Sequence, residues 1–284
     1  MAKISSGKIG VIGGSGVYDL ESIKLIKEHN LSTPFGKPSD NIIEAEIDGH
    51  IFYFLPRHGK KHSFLPSEVN YRANIYALKS LGVKYLISIS AVGSLRDECP
   101  PGSFVLPDQF IDWTKGKRER TYFGNGIVGH VSVAAPIELE LQKFLHQCCL
   151  ELKIPARKDG SYICIEGPQF SSKAESNIYR SFGATVIGMT NVPESYLAKE
   201  AGMAYATIAM ITDYDCWKEV HCTMDEIMKV MRTNNIMAQS LVKLAIPKLS
   251  KSPIPYRSEN DIGIFTPLDS MNEDQKKIVH TLLN

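Results

Sequence analysis

Apolar residues fall in short runs along this chain, separated by stretches in which they recur every three or four positions. The runs at 9–12, 51–55, 85–89, 104–106, 162–165, 185–187 and 204–211 are mostly too short for helices and are rich in Ile, Val and Tyr. They predict buried strands. Helical patterns lie between them. LPSEVNYRANIYALKSLG has Pro66 in position for a first turn and Gly82 as a stop. SSKAESNIYRSFG opens with Ser172 and Glu175 at capping-box spacing and closes at Gly183. NVPESYLAKEAG has Pro193 near its start and Gly202 at its end. TMDEIMKVMRTNNIMAQSLVKLAI begins with a second capping box, Thr223 and Glu226. It sets Met224, Ile227, Met228, Met231, Ala238, Leu241, Val242 and Ala245 on one helical face.

Strands alternating with helices predict an α/β fold, a mostly parallel or mixed sheet with helices on both sides. The polar segment 250–261 reads as a linker, followed by a short helix at 272–283. The expected organisation is one domain over 1–250 and a C-terminal tail over 251–284 that packs on the same or a neighbouring subunit.

Bulk composition narrows the partners. The 284 residues are 43% hydrophobic and 22% charged, with a formal charge of +1. No global field draws such a chain to nucleic acid or to a membrane, although a small anion needs only a local cluster of donors. The six cysteines form no C-x-x-C pair, which suits reduced thiols. With no signal-peptide pattern and no apolar run of membrane-spanning length, the expectation is a cytoplasmic protein, the nucleus being the other compartment open to it.

In open α/β sheets, ligands collect beyond the carboxyl ends of the strands. IGGSG, ISAVGS, IGMTN and TDYD all follow apolar runs, so they are candidates for one shared site. The glycine-rich VIGGSG offers backbone amides and the Ser15 hydroxyl to an anion, or is simply a tight turn. It lacks the P-loop pattern, and FGNGIVG, which does contain G-x-G-x-x-G, follows no strand and opens no helix. LPRHGKKHS concentrates Arg57, His58, Lys60, Lys61 and His62. Arg57 can grip two phosphate oxygens in a fork and His58 can donate to a third. His58 and His62 have the spacing of a metal pair, but no Glu or Cys set accompanies them, and no metal is expected. His62 and His130 could serve as polar groups near a sugar. Phe170 and Ser171 precede a capped helix, where an aromatic ring can stack on a flat base.

The most telling segment is TDYDCW. An apolar run built for a buried strand ends in Asp213 and Asp215. Carboxylates there are costly unless paired or used. Beside a purine, one could accept from the exocyclic amine, or donate to N7 if its pKa is raised. A helix cap or a salt bridge is the plainer alternative.

Taken together, IGVIGGSG, TPFGKPSD, RHGKKH, PSEVNYRANIYALK, SAVGSLRDE, PGSFVLPDQFID, IEGPQFSSKAES, MTNVPESYLAKEAG and ATIAMITDYDCWKE closely resemble the 5′-methylthioadenosine phosphorylases of the eukaryotic, trimeric type. These belong to the purine nucleoside phosphorylase family. The resemblance spans residues 8 to about 247. It implies a single-domain fold whose mixed central sheet closes partly into a barrel surrounded by helices. It also implies phosphate-dependent cleavage to adenine and 5-methylthioribose 1-phosphate, in purine and methionine salvage. Inorganic phosphate is then a co-substrate, no cofactor is needed, and the assembly is a homotrimer. By similarity, Ser15, Arg57, His58, Ser90, Ala91 and Thr190 hold phosphate. Met189 lies against the ribose, and Phe170, Ser171, Asp213 and Asp215 surround adenine. His62, His130, Met224 and Ile227 lie near the 5′ substituent. Asp213 is the general-acid candidate and Asp215 orients it.

The chain departs from the family pattern in places. Ser15 and Ser90 stand where threonine is usual, Gly188 where asparagine is, and Val92 where cysteine is. The tail beyond about residue 246 matches poorly. A phosphorylase for another nucleoside and a non-catalytic adenosine sensor are the competing readings. The intact set of Arg57, His58, Asp213 and Asp215 speaks against lost catalysis.

Overall fold

A computed structural model describes residues 7–14, 16, 23–218, 223–258 and 260–284. Ser15 and the side chain of Met224 lie outside that description. Every predicted strand forms. The apolar runs become β1 (Lys8–Gly13), β4 (His50–Pro56), β5 (Val83–Ser94), β6 (Phe104–Leu106), β9 (Ser161–Ile165), β10 (Val186–Gly188) and β11 (Ala204–Asp213). Four further strands join them: β2 (Lys24–His29), β3 (Ile42–Ile47), β7 (Gln109–Trp113) and β8 (Ala156–Lys158).

The result is one mixed 11-stranded sheet flanked by helices. One path runs β2-β3-β4-β1-β5-β10-β9-β7, and β11, β6 and β8 extend from the other edge of β5. Its paths end at β2, β7 and β8. The long strand β5 organises the site. Along one edge it pairs with β1 as far as Ser88 and with β10 from Gly93 onward. β11 pairs with it along the other edge from Tyr85 to Gly93. Between Ser88 and Gly93 no strand among the described residues pairs with the first edge, and the sheet divides there. Such a topological switch is where a ligand fits an open α/β sheet.

The helices are α1 (Tyr71–Ser80), α2 (Leu139–Glu151), α3 (Lys173–Ser181), α4 (Asn191–Glu200), α5 (Met224–Lys251) and α6 (Glu273–Leu283). Two expected boundaries move. Pro66 does not open α1, because Asn70 caps it by accepting from the Ala73 amide at 3.1 Å. Residues 66–68 form a turn instead, held where Glu68 accepts from the Leu65 amide at 2.9 Å. α5 does not stop at residue 246 but continues through Pro247 to Lys251. A proline there forfeits a backbone bond, yet Ile246, Pro247 and Leu249 are all buried. Burying such side chains is worth about 1.5–3 kcal/mol each, which offsets the loss.

The core cluster joins both halves of the sheet, with Val11, Leu55, Leu86 and Ile208 fully buried in it. The tail packs back on its own chain. Tyr76 on α1 donates to Thr281 on α6 at 2.9 Å, and Asn260 donates to the carbonyl of Leu282 at 3.0 Å. None of the helices among the described residues is long and apolar enough to cross a membrane.

Candidate active site

The division of the sheet opens a cavity of about 460 Å³, a size that suits a nucleoside-sized ligand. The four segments expected to share a site all reach it: Gly14 and Gly16 after β1, Ser90 to Gly93 on β5, Gly188 to Thr190 at the end of β10, and Thr212, Asp213 and Asp215 at the end of β11. Arg57 and His58 enter after β4, and His62 follows them. Gly16 gives α5 room, since a Cβ there would lie 2.3 Å from Asn235 Nδ2.

One end of the cavity is rich in donors. Arg57 is fully buried, but it does not present the fork expected of it. Its Nε and Nη2 donate to the two carboxylate oxygens of Glu194 at 2.6 and 2.9 Å. Nη2 also donates to Ser88 Oγ at 2.7 Å, and Nη1 to the carbonyl of Ile89 at 2.9 Å. A guanidinium has five N–H groups, so a single Nη1 proton is left without a partner among the described residues. The expected bidentate grip on an anion is corrected to one hydrogen bond plus the charge. Burial opposes that charge, and the Glu194 carboxylate more than offsets it, so the guanidinium is held firmly ionised.

His58 also differs from expectation. Its Nδ1 donates to the Phe64 carbonyl at 2.9 Å, and its ring stacks on His62 with centroids 4.6 Å apart. Burial first, and the Arg57 charge second, push its pKa down to about 4. The neutral ring then keeps a lone pair on Nε2 and becomes a donor there only when an anion brings it a proton. Ser90 and Thr190 complete this end, their hydroxyl oxygens 3.2 Å apart.

At the other end stand the two acids. Asp213 Oδ2 accepts from Thr212 Oγ1 and Oδ1 from the Asp215 amide, both at 2.7 Å. This closes the strand end into a tight turn, with Asp215 at φ 53° in the left-handed region. Asp215 has a raised pKa. Burial is the main cause, working against the Ser176 hydroxyl and the Cys216 amide. Gly93 allows the acids to approach β5, because a Cβ there would sit 3.1 Å from Asp213 Oδ1. Ser171 Oγ and Ser176 Oγ are buried beside Asp215 without a well-formed hydrogen bond among the described residues. Phe170 borders the cavity and is 82% exposed. A capping box opens the helix that follows Phe170 and Ser171: Ser172 Oγ accepts from the Glu175 amide at 3.3 Å, and Glu175 accepts from the Ser172 amide at 2.8 Å.

An apolar wall from α5 completes the cavity. Ile227 lies there, and Met228, Met231 and Asn235 continue the same helical face. Met189 lines the cavity as well. His130 does not reach it. That histidine lines a second cavity of about 350 Å³ with Lys199, Ser258 and Gly263, its ring edge-on to Phe265 at 5.7 Å. Among the described residues no group of His, Cys, Asp or Glu could hold a metal ion.

Two buried pairs that sequence reasoning missed hold these pieces in place. Glu194 lies inside the segment NVPESYLAKEAG, where a helical carboxylate gives no signal of its partner. Arg118 donates to Glu166 Oε1 at 2.7 Å and to the carbonyls of Met189 and Val192 at 2.6 and 2.8 Å. It thereby ties the strand end at Ile165 to the start of α4.

Comparison with known proteins agrees with this geometry. The model of the phosphorylase superfamily matches residues 8–247. A protein of Geobacter sulfurreducens named S-methyl-5′-thioadenosine phosphorylase is 49% identical over 245 residues, which is 86% of this chain and 86% of the relative. The crystal structure of a methylthioadenosine phosphorylase from an antarctic soil metagenomic library is similar with a TM-score of 0.93 at 41% identity, covering 98% of this chain and 99% of that one. Methylthioadenosine phosphorylase from Schistosoma mansoni in complex with adenine has a TM-score of 0.82 at 37% identity, over 87% of this chain and 93% of that one. On the match of family model, relatives and fold, the chain belongs to the phosphorylase superfamily.

Proposed function

We propose that this chain cleaves S-methyl-5′-thioadenosine with inorganic phosphate, giving adenine and 5-methylthioribose 1-phosphate, a step of purine and methionine salvage. The observation that carries the reading is the single cavity at the division of the sheet. It joins a donor-rich end at Arg57, Ser90 and Thr190 to an acidic end at Asp213 and Asp215, beside an apolar helix face.

The reaction breaks the C1′–N9 bond, whose electron pair leaves with adenine. The sugar develops oxocarbenium character, as in glycoside cleavage. Phosphate stabilises that positive charge and then forms the new bond to C1′, so no covalent enzyme intermediate is needed. Arg57, Ser90, Thr190, the Ser15 hydroxyl and the backbone at Ala91 hold the anion. The charge of phosphate favours protonation of His58 Nε2, which turns that nitrogen into a donor. Asp213 gives a proton to N7 of the leaving base, and Asp215, anchored to it through its amide, faces the N6 amine. Phe170 covers the base, Ser171 hydrogen-bonds it, and Met189 lies under the ribose. His62 and Ile227 lie toward the 5′ substituent. Phosphate and side chains supply all the charge the steps require, so the reading includes no cofactor or metal.

The partners follow the same reading: a nucleoside and phosphate, and further copies of the chain. A homotrimer is supported by His130. It lines a cavity other than its own copy's main one, beside Phe265, which is 65% exposed, and a place near another copy's cavity would fit it in an assembly. A cytoplasmic location fits the free thiols of the described cysteines. A panel of methylthioadenosine, adenosine and inosine, assayed for free base with phosphate present, tests the assignment. Methylthioadenosine should be cleaved fastest; faster cleavage of inosine would replace it with a 6-oxopurine phosphorylase.

A further inference from the structure

Gly188 closes β10 and borders the cavity, yet its backbone does not require glycine, for its φ lies outside the left-handed region. Its neighbour requires it instead. A Cβ at position 188 would lie 2.0 Å from Tyr162 Oη and 2.6 Å from Tyr162 Cζ. Tyr162 rises from β9 with no solvent exposure, and its ring meets Phe110 edge-on at 5.6 Å. Its hydroxyl ends 3.4 Å from Ser90 Oγ, and Ser90 Oγ lies 3.2 Å from Thr190 Oγ1. Three hydroxyls thus form a chain that runs from the core to the donor-rich end of the cavity. Burial pushes the phenol up to about 12, against the pull of the Ser90 hydroxyl and of Thr190, so it remains a neutral O–H.

We infer that Tyr162 is a positioning residue for the phosphate co-substrate, acting through Ser90 and Thr190; this rests on the phosphorolysis reading. Each hydroxyl carries one proton. The Tyr162 proton is buried, and among the described residues its hydroxyl meets Ser90 at 3.4 Å and Thr190, so on this inference it is donated to that pair. With the bonds running from Tyr162 to Ser90 to Thr190, two protons are used within the chain and the third, on Thr190, is left for the cavity. The anion, which needs donors, then meets a hydroxyl already oriented toward it. The missing side chain at Gly188 makes room for the phenol tip. The pair Gly188 and Tyr162 is therefore one device.

Tyr162→Phe removes the proton and keeps the ring. With saturating nucleoside it should raise the phosphate KM about tenfold, the usual worth of one hydrogen bond near a charge, with a smaller change in kcat. Adenine affinity should be unchanged. The thermal shift produced by inorganic phosphate alone should shrink, while the melting temperature without phosphate stays close to that of the parent. Phe110→Leu is the control: it loosens the ring but keeps the hydroxyl, so it should lower the melting temperature and leave the phosphate KM within about twofold. Gly188→Ala, which displaces the phenol tip, should repeat the phosphate-specific defect if Tyr162→Phe does not fold. An unchanged phosphate KM in folded Tyr162→Phe would overturn the inference. So would a rise in both substrate KM values that Phe110→Leu reproduces. If the unmodified enzyme releases no adenine in phosphate, phosphorolysis itself fails, and the phosphate-induced thermal shift still decides the role of Tyr162.

Discussion

Arg57 and Glu194 meet edge to edge inside the protein, Nε and Nη2 at 2.6 and 2.9 Å from the two carboxylate oxygens, with side chains 2% and 0% exposed. The pair converts a mobile cation into a fixed charge on the cavity wall. Ser88, Tyr205 and Asn191 surround it with further hydrogen bonds, and Tyr205 donates to Glu194 at 2.9 Å. Breaking one side of such a buried pair typically costs about 3–5 kcal/mol, because the other charge is left unpaired.

Glu194→Ala should accordingly lose about that much stability in denaturant unfolding. The double variant Arg57→Met with Glu194→Leu should recover much of the loss and still lack phosphate-dependent activity. That separation of stability from function is the diagnostic result. A Glu194→Ala protein as stable as its parent would mean that the pair does not hold the site.

Asp213→Asn tests the acid. An amide can hydrogen-bond N7 but cannot protonate it, so cleavage of 6-aminopurine nucleosides should slow by about 10²- to 10⁴-fold. The phosphate-induced thermal shift should persist, and discrimination against 6-oxopurine nucleosides should weaken because an amide can donate to O6. The raised pKa lies on Asp215. Near-normal activity in Asp213→Asn, with loss in Asp215→Asn, would therefore exchange the two roles.

The apolar wall of α5 bears on the 5′ substituent. On the proposed placement of the 5′ group against Ile227 and its neighbours, a small apolar contact should favour methylthio over hydroxyl, and kcat/KM for methylthioadenosine should exceed that for adenosine by about 10- to 200-fold. Ile227→Ala should narrow the ratio. A parent enzyme that prefers adenosine would contradict the placement of the 5′ group against this helix.

Glu200 supplies a pH test away from the cavity. It accepts from the Tyr122 amide at 2.8 Å and from Thr121 Oγ1 at 2.7 Å. Burial outweighs both and raises its pKa to about 7, from an ordinary 4.5. A carboxyl whose folded pKa is raised favours folding fully below its unfolded pKa, and the advantage is lost as pH rises through the folded value. Glu200→Gln mimics the neutral form. Its melting temperature relative to the parent should therefore rise between about pH 5.5 and pH 8.5. A difference that stays flat across that range would place the Glu200 pKa near the ordinary value.

How much of this was legible in the sequence depends on the kind of signal. Continuous apolar runs revealed the buried strands, and capping boxes at Ser172 and Thr223 located two helix starts. β2 was not legible, because five of its six residues are exposed at the edge of the sheet. β3, IIEAEI, alternates instead of running, with burial following period two over its second half. The ends of β1, β4, β5, β10 and β11 gave away the cavity because ligands gather beyond carboxyl ends. Glu194 and Tyr162 left no such trace. One lies 137 residues from its partner Arg57 and the other 72 from Ser90, and only the folded sheet brings them together.

Phosphate dependence tests the central claim most directly. Adenine release from S-methyl-5′-thioadenosine would be followed with inorganic phosphate present and rigorously omitted, with the sugar product analysed in parallel. The cavity as read here predicts that adenine appears only with phosphate and in equal amount with a sugar 1-phosphate, and that Arg57→Ala raises the phosphate KM and lowers turnover. Equal adenine release in phosphate-free buffer, with free methylthioribose as product, would contradict it and make the protein a hydrolase.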